Sequence, residues 1–240
     1  NYSLAHGRPA TQYIDPGTLA EIALLSTRDG SVGMAFTYNE PGIWYEYIQQ
    51  AAIILKEKGL KVVLVTNGYM EEKPLKALLP FVDALNIDVK AFTNEFYIRN
   101  CKGKLDPVKA SVELAKEKCH VEITTLVIPG ENDKIEEISS LACWLKSLDP
   151  NIPLHLSRYH PAYQFKHPAT PPEILSQARD AAREYLHFVF IGNLMEEENQ
   201  THCLKCGGVL IKRNVYQVQI TGWDEGRCRH CGTAVNYIVC

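Results

Sequence analysis

The chain has 240 residues, of which 46% are hydrophobic and 22% are charged, and its formal net charge is -3 at pH 7. This is the composition of a globular domain with room for one small extra module. The slight negative charge argues against binding of nucleic acid or anionic membranes through bulk electrostatics. The longest apolar runs, Ala51 to Leu55 and Val62 to Val65, are too short to span a bilayer. With no secretory leader visible, we expect a cytoplasmic protein without nucleic-acid or membrane partners.

Short apolar, β-branched runs alternate with helical patterns between Ser31 and Ile191. The predicted strands are Val32 to Tyr38, Lys61 to Thr66, Ala84 to Val89, Val121 to Ile128, Pro153 to Arg158 and His187 to Ile191. Strands that are separated by helices and are apolar along most of their length form a parallel sheet covered by helices. The pattern therefore predicts an α/β fold, either an open doubly wound sheet or a barrel.

Three segments carry helix signals. An apolar stripe with helical spacing includes Ile43, Ile48 and Leu55. A second stripe runs from Ile135 to Leu148, and Asp133 with Glu136 three residues later has the pattern of a capping box. The segment Thr170-Pro171-Pro172-Glu173 predicts the start of a third helix, because proline is favoured at the first helical position.

The pattern changes after the sixth predicted strand. An acidic stretch at residues 196–200 interrupts it, and residues 215–220 then alternate as in a half-buried hairpin strand. We predict a partial β/α barrel at residues 1–193, a linker at 194–201 and a small module at 202–240.

The small module contains two C-x-x-C-G motifs, which are formed by Cys203, Cys206, Cys228 and Cys231 with their following glycines. A glycine at this position allows positive φ, so that backbone amides can point at the thiolates. Four thiolates form a closed tetrahedral site of the structural zinc type, and the absence of a leader favours a metal site over disulfides. We predict a zinc ribbon, with iron as the competing metal because the spacing does not distinguish the two.

Polar side chains follow five of the predicted strands. They are Thr37 to Glu40, Thr66 to Tyr69, Asp88 with Lys90, Thr124 with Thr125, and His155 to His160. The carboxyl ends of parallel strands meet at one edge of the sheet, where ligands bind. Carboxylates and cations at the same edge suit a zwitterionic ligand.

These motifs, in this order, resemble the radical S-adenosylmethionine (SAM) enzymes. The likeness is closer to relatives of pyruvate formate-lyase activating enzyme, and among those to the AmmeMemoRadiSam system radical SAM proteins. It covers nearly the whole chain and rests on Tyr38-Asn39-Glu40-Pro41, Thr66-Asn67-Gly68, Asp88-Val89-Lys90, the V-x-P-G-x-x-D stretch from Val127 to Asp133, and Arg158-Tyr159-His160. The resemblance implies SAM contacts from Tyr38, Asn39, Glu40, Thr66, Asn67, Asp88, Lys90, Thr124, Arg158 and His160.

The resemblance assigns individual roles at this site. Glu40 would bind the SAM ammonium, Asp88 and Lys90 the ribose side, and His160 the adenosyl end. In the family, a reduced [4Fe–4S] cluster cleaves SAM to methionine and a 5′-deoxyadenosyl radical that abstracts hydrogen from a substrate.

The family's C-x-x-x-C-x-x-C cluster motif does not occur in residues 1–240. In relatives, the last of these cysteines is typically followed by Gln-Asn, and this chain opens with Asn1-Tyr2. We therefore expect the cluster loop and the first barrel strand to lie upstream of Asn1, and residues 1–240 alone to be inactive. A lineage that lacks the cluster is the alternative.

Three functional hypotheses follow. The first is a radical SAM oxidoreductase of the activating-enzyme type, which takes one electron from a donor such as ferredoxin or flavodoxin. The resemblance to the AmmeMemoRadiSam system implies Memo-like and AMMECR-like proteins as further partners. The second is a cluster-free SAM-binding or regulatory barrel that binds a partner protein through its ribbon. The third is an aldolase-like barrel in which Lys90 forms a Schiff base.

Overall fold

A computed structural model describes residue 7 and residues 11–195, 198–214 and 217–237. The predicted positions Asn1, Tyr2, Glu196, Glu197, Val215 and Tyr216 lie outside these ranges, as does Cys240. Six parallel strands form one sheet in the order β1 to β6, which confirms the predicted α/β fold. By its internal contacts, the chain divides into two compact units, residues 1–124 and 125–240. The predicted boundary near residue 194 is a different division and stays a prediction.

The described residues of the first unit form five α-helices and the first three strands, and β4 crosses into the second unit. Its elements are α1 (Pro16–Ser26), β1 (Gly33–Phe36), α2 (Tyr45–Glu57), β2 (Lys61–Thr66), α3 (Glu72–Leu78), β3 (Ala84–Asp88), α4 (Asn94–Phe96), α5 (Leu105–Lys116) and β4 (His120–Val127). Helices cover one face of the sheet. The core between them includes Leu64, Ile87 and Ile123 of the strands and Leu55 and Val108 of the helices, all at most 1% exposed. Each such side chain contributes about 1.5–3 kcal/mol to stability.

The second unit continues with α6 (Ile135–Leu148), β5 (Leu154–Arg158), α7 (Pro172–Arg183) and β6 (Val189–Gly192). Its core contains Leu141, Leu145, Leu154 and Leu175. A C-terminal region follows with β7 (Glu198–His202), β8 (Val209–Asn214) and β9 (Gln217–Ile220) in one antiparallel sheet. The short strands β10 (Trp223–Asp224) and β11 (Arg227–Cys228) pair beside it. Within the described ranges, each helix is too short or too polar to traverse a bilayer.

Most predicted elements are confirmed, and the differences have local causes. Ile43 is 78% exposed because it lies in a 3-10 turn, Pro41–Trp44, ahead of α2. The capping-box prediction is wrong: Lys134 is the N-cap of α6, and the Asp133 carboxylate accepts a hydrogen bond from the Gly130 N–H instead. Helix α1 was not predicted; it begins after Asp15, whose carboxylate accepts the Thr18 N–H.

Two expectations about the C-terminal region are also corrected. Strand β9 is not half-buried, because all four of its residues are exposed at the edge of the sheet. Strand β7 begins inside the segment that we predicted to be a linker. The Asn199 side chain there accepts a hydrogen bond from the Ile191 N–H at 2.9 Å and donates one to the Ile191 carbonyl at 2.7 Å. The segment is therefore bound to strand β6.

Candidate functional site

The first unit holds a fixed carboxylate where strands β1 and β2 end. The Glu40 Oε1 atom accepts hydrogen bonds from the Thr66 hydroxyl at 2.6 Å and the Gly42 N–H at 3.0 Å, and Oε2 accepts the Asn67 N–H at 2.7 Å. Among the described residues, no lysine, arginine or histidine forms an ion pair with Glu40. Glu40 is thus a positioned carboxylate whose partners there are neutral donors.

Local backbone structure fixes these donors. Glu40 is the N-cap of the turn Pro41–Trp44, so its carboxylate lies over the Gly42 N–H. Gly68 has a φ of 68° and packs so closely on Ile87 that a Cβ would lie 2.7 Å from it. The resulting turn brings the Gly68 N–H to the Thr66 hydroxyl, at 3.1 Å. Thr66 can therefore accept from one neighbour and donate to Glu40.

Strand β3 ends in an ion pair beside a buried tyrosine. Lys90 Nζ lies 2.8 Å from Asp88 Oδ2, and the Lys90 N–H donates to the Tyr97 hydroxyl at 3.1 Å. Tyr97 is only 3% exposed, and this burial raises the pKa of its phenol. The buried hydroxyl therefore stays protonated and fixes the backbone at Lys90.

A cavity of about 720 Å³ connects these groups. Its lining includes the polar residues Glu40, Asn67, Lys90 and Tyr97, together with Ile43 and Tyr69. Three residues of the SAM prediction, Glu40, Asn67 and Lys90, thus lie around one cavity. Tyr97 was not predicted, because its role comes from a helical turn that follows β3 and no motif marks it.

The other predicted residues of the first unit are placed differently. Tyr38 is 72% exposed and Asn39 is exposed as well. The Thr124 hydroxyl donates to Asn86 Oδ1 at 2.8 Å, on the sheet face opposite the helices. Thr66 and Asp88 contact Glu40 and Lys90, respectively, as described above.

Arg158 and His160 lie in the second unit, at the end of β5. Arg158 Nε donates to the Thr170 carbonyl at 2.8 Å, and the Arg158 carbonyl accepts a hydrogen bond from the Asn193 side chain at 3.3 Å. The His160 ring is exposed, and its Nε2 lies 3.4 Å from the Asn193 carbonyl. The ends of β5 and β6 are therefore linked through Asn193.

The four cysteines of the C-x-x-C-G motifs come together, with all four sulfurs within 4.8 Å of one another. Two Sγ–Sγ separations, Cys203 to Cys231 and Cys206 to Cys228, are 3.8 Å. The glycines Gly207 and Gly232 both have a φ of 71°, as the motif requires. The N–H groups of Cys206 and Lys205 lower the pKa of the Cys203 thiol, which favours the thiolate. This group of thiols can bind a metal ion.

The ligand set of an iron–sulfur cluster is not present among the other described cysteines. Cys101 ends a π-helical turn, Cys119 precedes β4, and Cys143 lies on α6. Burial raises the pKa of Cys119 to about 12, so it is a poor thiolate donor. A three-cysteine cluster loop therefore does not fit residues 1–240.

Comparison with known protein families identifies the family of this chain. The model of the Radical SAM superfamily matches residues 2–142. The chain belongs to the radical SAM superfamily, whose members use SAM and an iron–sulfur cluster.

Individual relatives refine this statement. The chain is 38% identical to an uncharacterized protein of Methanocaldococcus jannaschii, over 92% of this chain and 68% of the relative. It is 25% identical to the (2S)-3-sulfopropanediol dehydratase activating enzyme of Klebsiella oxytoca, over 46% of this chain but only 35% of that enzyme. A crystal structure of a domain of pyruvate-formate lyase-activating enzyme from Bacteroides vulgatus has a similar fold. It matches with a TM-score of 0.58 and 21% identity, over 67% of this chain and 99% of that domain. The homologues of this chain thus include an activating enzyme.

Proposed function

We propose that the strand-end site of the first unit binds SAM and that Glu40 receives its α-ammonium group. The observation that carries this proposal is the Glu40 carboxylate, held by three neutral donors within 3.0 Å and without an ion-pair partner among the described residues. No cation among the described residues compensates this carboxylate, and a charge-assisted hydrogen bond from a cationic ligand is about twice as strong as a neutral one.

The remaining predicted contacts extend the same proposal. The Asp88–Lys90 pair would bind the ribose side, and Tyr38, Asn39, Thr66, Asn67 and Thr124 would complete the site around the cofactor. The cofactor contacts of Arg158 and His160, which lie in the second unit, stay predictions of the resemblance. The Lys90 amine already has the Asp88 carboxylate as its partner at 2.8 Å, which disfavours the alternative in which it forms a Schiff base.

Titration calorimetry of SAM into the 240-residue chain tests this site. We expect Glu40→Gln to weaken SAM binding by about tenfold, because it removes the charge but keeps the size of the side chain. The matched control is Asp83→Asn, which removes an acid of the same unit far from the cavity and should leave the affinity unchanged. A control ligand, 5′-methylthioadenosine, lacks the ammonium group and should bind the wild type and Glu40→Gln with equal affinity. Equal SAM affinity of Glu40→Gln and the wild type would contradict the proposal.

The proposed activity is reductive cleavage of SAM for hydrogen abstraction, as an activating enzyme performs it. It requires a cluster held by cysteines outside residues 1–240 and an electron donor of the ferredoxin or flavodoxin type. Residues 1–240, reconstituted with iron and sulfide and reduced by dithionite, should therefore release no 5′-deoxyadenosine. A protein that joins this chain to a C-x-x-x-C-x-x-C segment should release it. If the joined protein binds SAM without turnover, the cluster-free regulatory hypothesis gains support instead.

For the C-terminal region we propose a structural zinc ion, bound by the four cysteines. Two of their sulfur separations are 3.8 Å, the value for a tetrahedron with bonds of about 2.3 Å. Elemental analysis should find one zinc per chain, and Cys228→Ser should lose it whereas Cys143→Ser should retain it. One iron per chain, with the visible absorption of a ferric thiolate, would show that the site binds iron instead of zinc. Memo-like and AMMECR-like partners stay part of this proposal, to be tested by copurification.

A further inference from the structure

Three tyrosines line the cavity of the first unit, and their hydroxyl groups have different surroundings. The Tyr45 hydroxyl donates its proton to the Pro74 carbonyl at 3.2 Å. Tyr69 is 51% exposed, so water competes for its hydrogen bonds. Tyr97 is 3% exposed, and its hydroxyl accepts the Lys90 N–H at 3.1 Å. The three hydroxyls therefore differ in what they can offer to a ligand.

The proton of the Tyr97 hydroxyl has no acceptor in the part of the chain that the structure describes. A phenol carries one donor besides its acceptor lone pairs, and the bond from the Lys90 N–H uses a lone pair only. Burial raises the pKa of this phenol, and the nearby Asp88 carboxylate raises the pKa as well, so the proton stays on the oxygen. Most buried polar groups in proteins have a partner for each such donor. The Tyr97 proton is thus available to a group that enters the cavity.

The backbone after β3 holds this phenol in place. Tyr97 begins a π-helical turn, Tyr97–Cys101, and its carbonyl accepts the Gly103 N–H at 3.2 Å. The Phe96 ring contacts the Tyr97 ring edge to face, with the ring centroids 6.4 Å apart. A ligand would therefore meet a donor that is already oriented, which lowers the entropy cost of binding.

The surroundings of the hydroxyl favour a neutral oxygen as its acceptor. The Asp88 carboxylate and the Lys90 ammonium lie 2.8 Å apart and compensate each other. An anion beside them would need a further cation, whereas a neutral hydroxyl oxygen needs only the donor proton. The proposed function assigns this ion pair to the ribose side of SAM, and ribose carries two such oxygens in its 2′ and 3′ hydroxyls.

We propose that Tyr97 is a ligand-binding residue of the first unit, whose hydroxyl donates a hydrogen bond to a ribose hydroxyl oxygen of SAM. This inference rests on the proposed SAM binding. A ribose oxygen that displaces water from the Tyr97 hydroxyl recovers the hydrogen bond that the water made, and the Lys90 N–H fixes the direction of the phenol. Tyr97 would thereby connect the end of β3 to the cofactor.

The test is a cycle that removes the bond from the protein side and from the ligand side. Titration calorimetry on the 240-residue chain measures the affinities of SAM, 2′-deoxy-SAM and 3′-deoxy-SAM, and circular dichroism checks folding. We expect Tyr97→Phe, which removes only the hydroxyl, to weaken SAM binding about fivefold. The deoxy analogue that lacks the accepting oxygen should bind the wild type about fivefold more weakly than SAM does. Tyr97→Phe should not weaken that analogue further, because variant and analogue remove the same bond.

The matched control is Tyr45→Phe, which also removes a tyrosine hydroxyl from the cavity lining. Its proton is bound to the Pro74 carbonyl, so its loss should change the affinities of all three ligands by one common factor. The same common factor in a folded Tyr97→Phe would show that Tyr97 supports the fold and donates to no ribose oxygen, and would overturn the inference. An unchanged SAM affinity in Tyr97→Phe would overturn it as well.

Two further outcomes keep the inference distinct from the proposed function. If Tyr97→Phe does not fold, 3-fluorotyrosine introduced at position 97 decides, because it is a stronger hydrogen-bond donor and a weaker acceptor than tyrosine. Tighter SAM binding would support the inference, and equal or weaker binding would overturn it. A wild-type chain that binds no SAM refutes the proposed function and this inference together. SAM binding that depends on Glu40 but not on Tyr97 refutes the inference alone.

Discussion

Two carboxylates of the first unit, at opposite ends of the strands, are held in different ways. Asp83 directly precedes β3 and forms ion pairs with Lys56 at 2.8 Å and Lys61 at 3.4 Å, and it accepts the Val62 N–H at 2.9 Å. Glu40 follows β1 at the other end and accepts hydrogen bonds from a hydroxyl and two backbone amides. Both acids are positioned, but two lysines compensate the charge of Asp83.

This difference distinguishes a structural acid from an acid that can bind a ligand. An acid with two cationic partners and a backbone donor links elements of the fold. Its charge is already compensated, so it attracts a cationic ligand only weakly. An acid with neutral donors is oriented, but no cation compensates its charge. Pattern reasoning from sequence treats both as an acid beside a strand, so the distinction comes from the partners alone.

The largest effect on stability should come from Asp83→Asn. The substitution removes charge-assisted hydrogen bonds and leaves Lys56 without its anion, so we expect a loss of about 2 kcal/mol in the free energy of unfolding. Urea denaturation followed by circular dichroism measures it. SAM affinity, measured well below the transition, should not change. A tenfold weaker affinity in the folded variant would break the comparison between the two acids.

The same acid should dominate part of the pH dependence. Burial alone would raise the pKa of Asp83, but hydrogen bonds from Lys56 and the Val62 N–H outweigh burial and hold the pKa below its ordinary value. A lowered folded-state pKa contributes stability above the ordinary value, near pH 4, that is lost as the pH falls through the folded-state pKa. Stability of the wild type and Asp83→Asn, measured between pH 2 and 7, should therefore converge toward low pH. A constant difference between the two would contradict this assignment.

Some parts of the fold and of the candidate site could be predicted from the sequence, and others could not. Strand positions followed from hydrophobic alternation, and Glu40, Asn67 and Lys90 were expected to lie near one another because parallel strands bring their carboxyl ends together. These three residues line one cavity. The four cysteines were found because the C-x-x-C-G turn is local. Tyr97, Thr170 and Asn199 were missed as bonding residues, because their partners are 7, 43 and 8 residues away along the chain. Such pairings depend on how loops cross the strand ends, which neither periodicity nor propensity specifies.

A smaller effect should follow from Thr66→Val, which addresses the orientation of Glu40 rather than its charge. The variant keeps the shape of a side chain that is 5% exposed but removes the 2.6 Å hydrogen bond to Glu40 and the acceptor of the Gly68 N–H. We expect a loss of about 1 kcal/mol in stability and severalfold weaker SAM binding. Thr66→Ser retains the hydroxyl and should restore affinity. Unchanged SAM binding in Thr66→Val would show that Glu40 does not depend on this donor.

The smallest effect on stability should come from Lys90→Met. The Lys90 and Asp88 side chains are 42% and 36% exposed, and ion pairs this accessible to water contribute less than about 0.5 kcal/mol.

Lys90 also lines the cavity with Glu40, so its charge should matter for a bound anion more than for the fold. SAM binding to the wild type should weaken as salt rises from 0.05 to 0.5 M, over roughly the range in which screening develops. This dependence should be shallower in Lys90→Met, with Lys102→Met as the control for a lysine that lines the cavity but bonds the Arg99 carbonyl instead of an acid. A large loss of stability in Lys90→Met would instead place Lys90 with Asp83, as part of the structural ionic network.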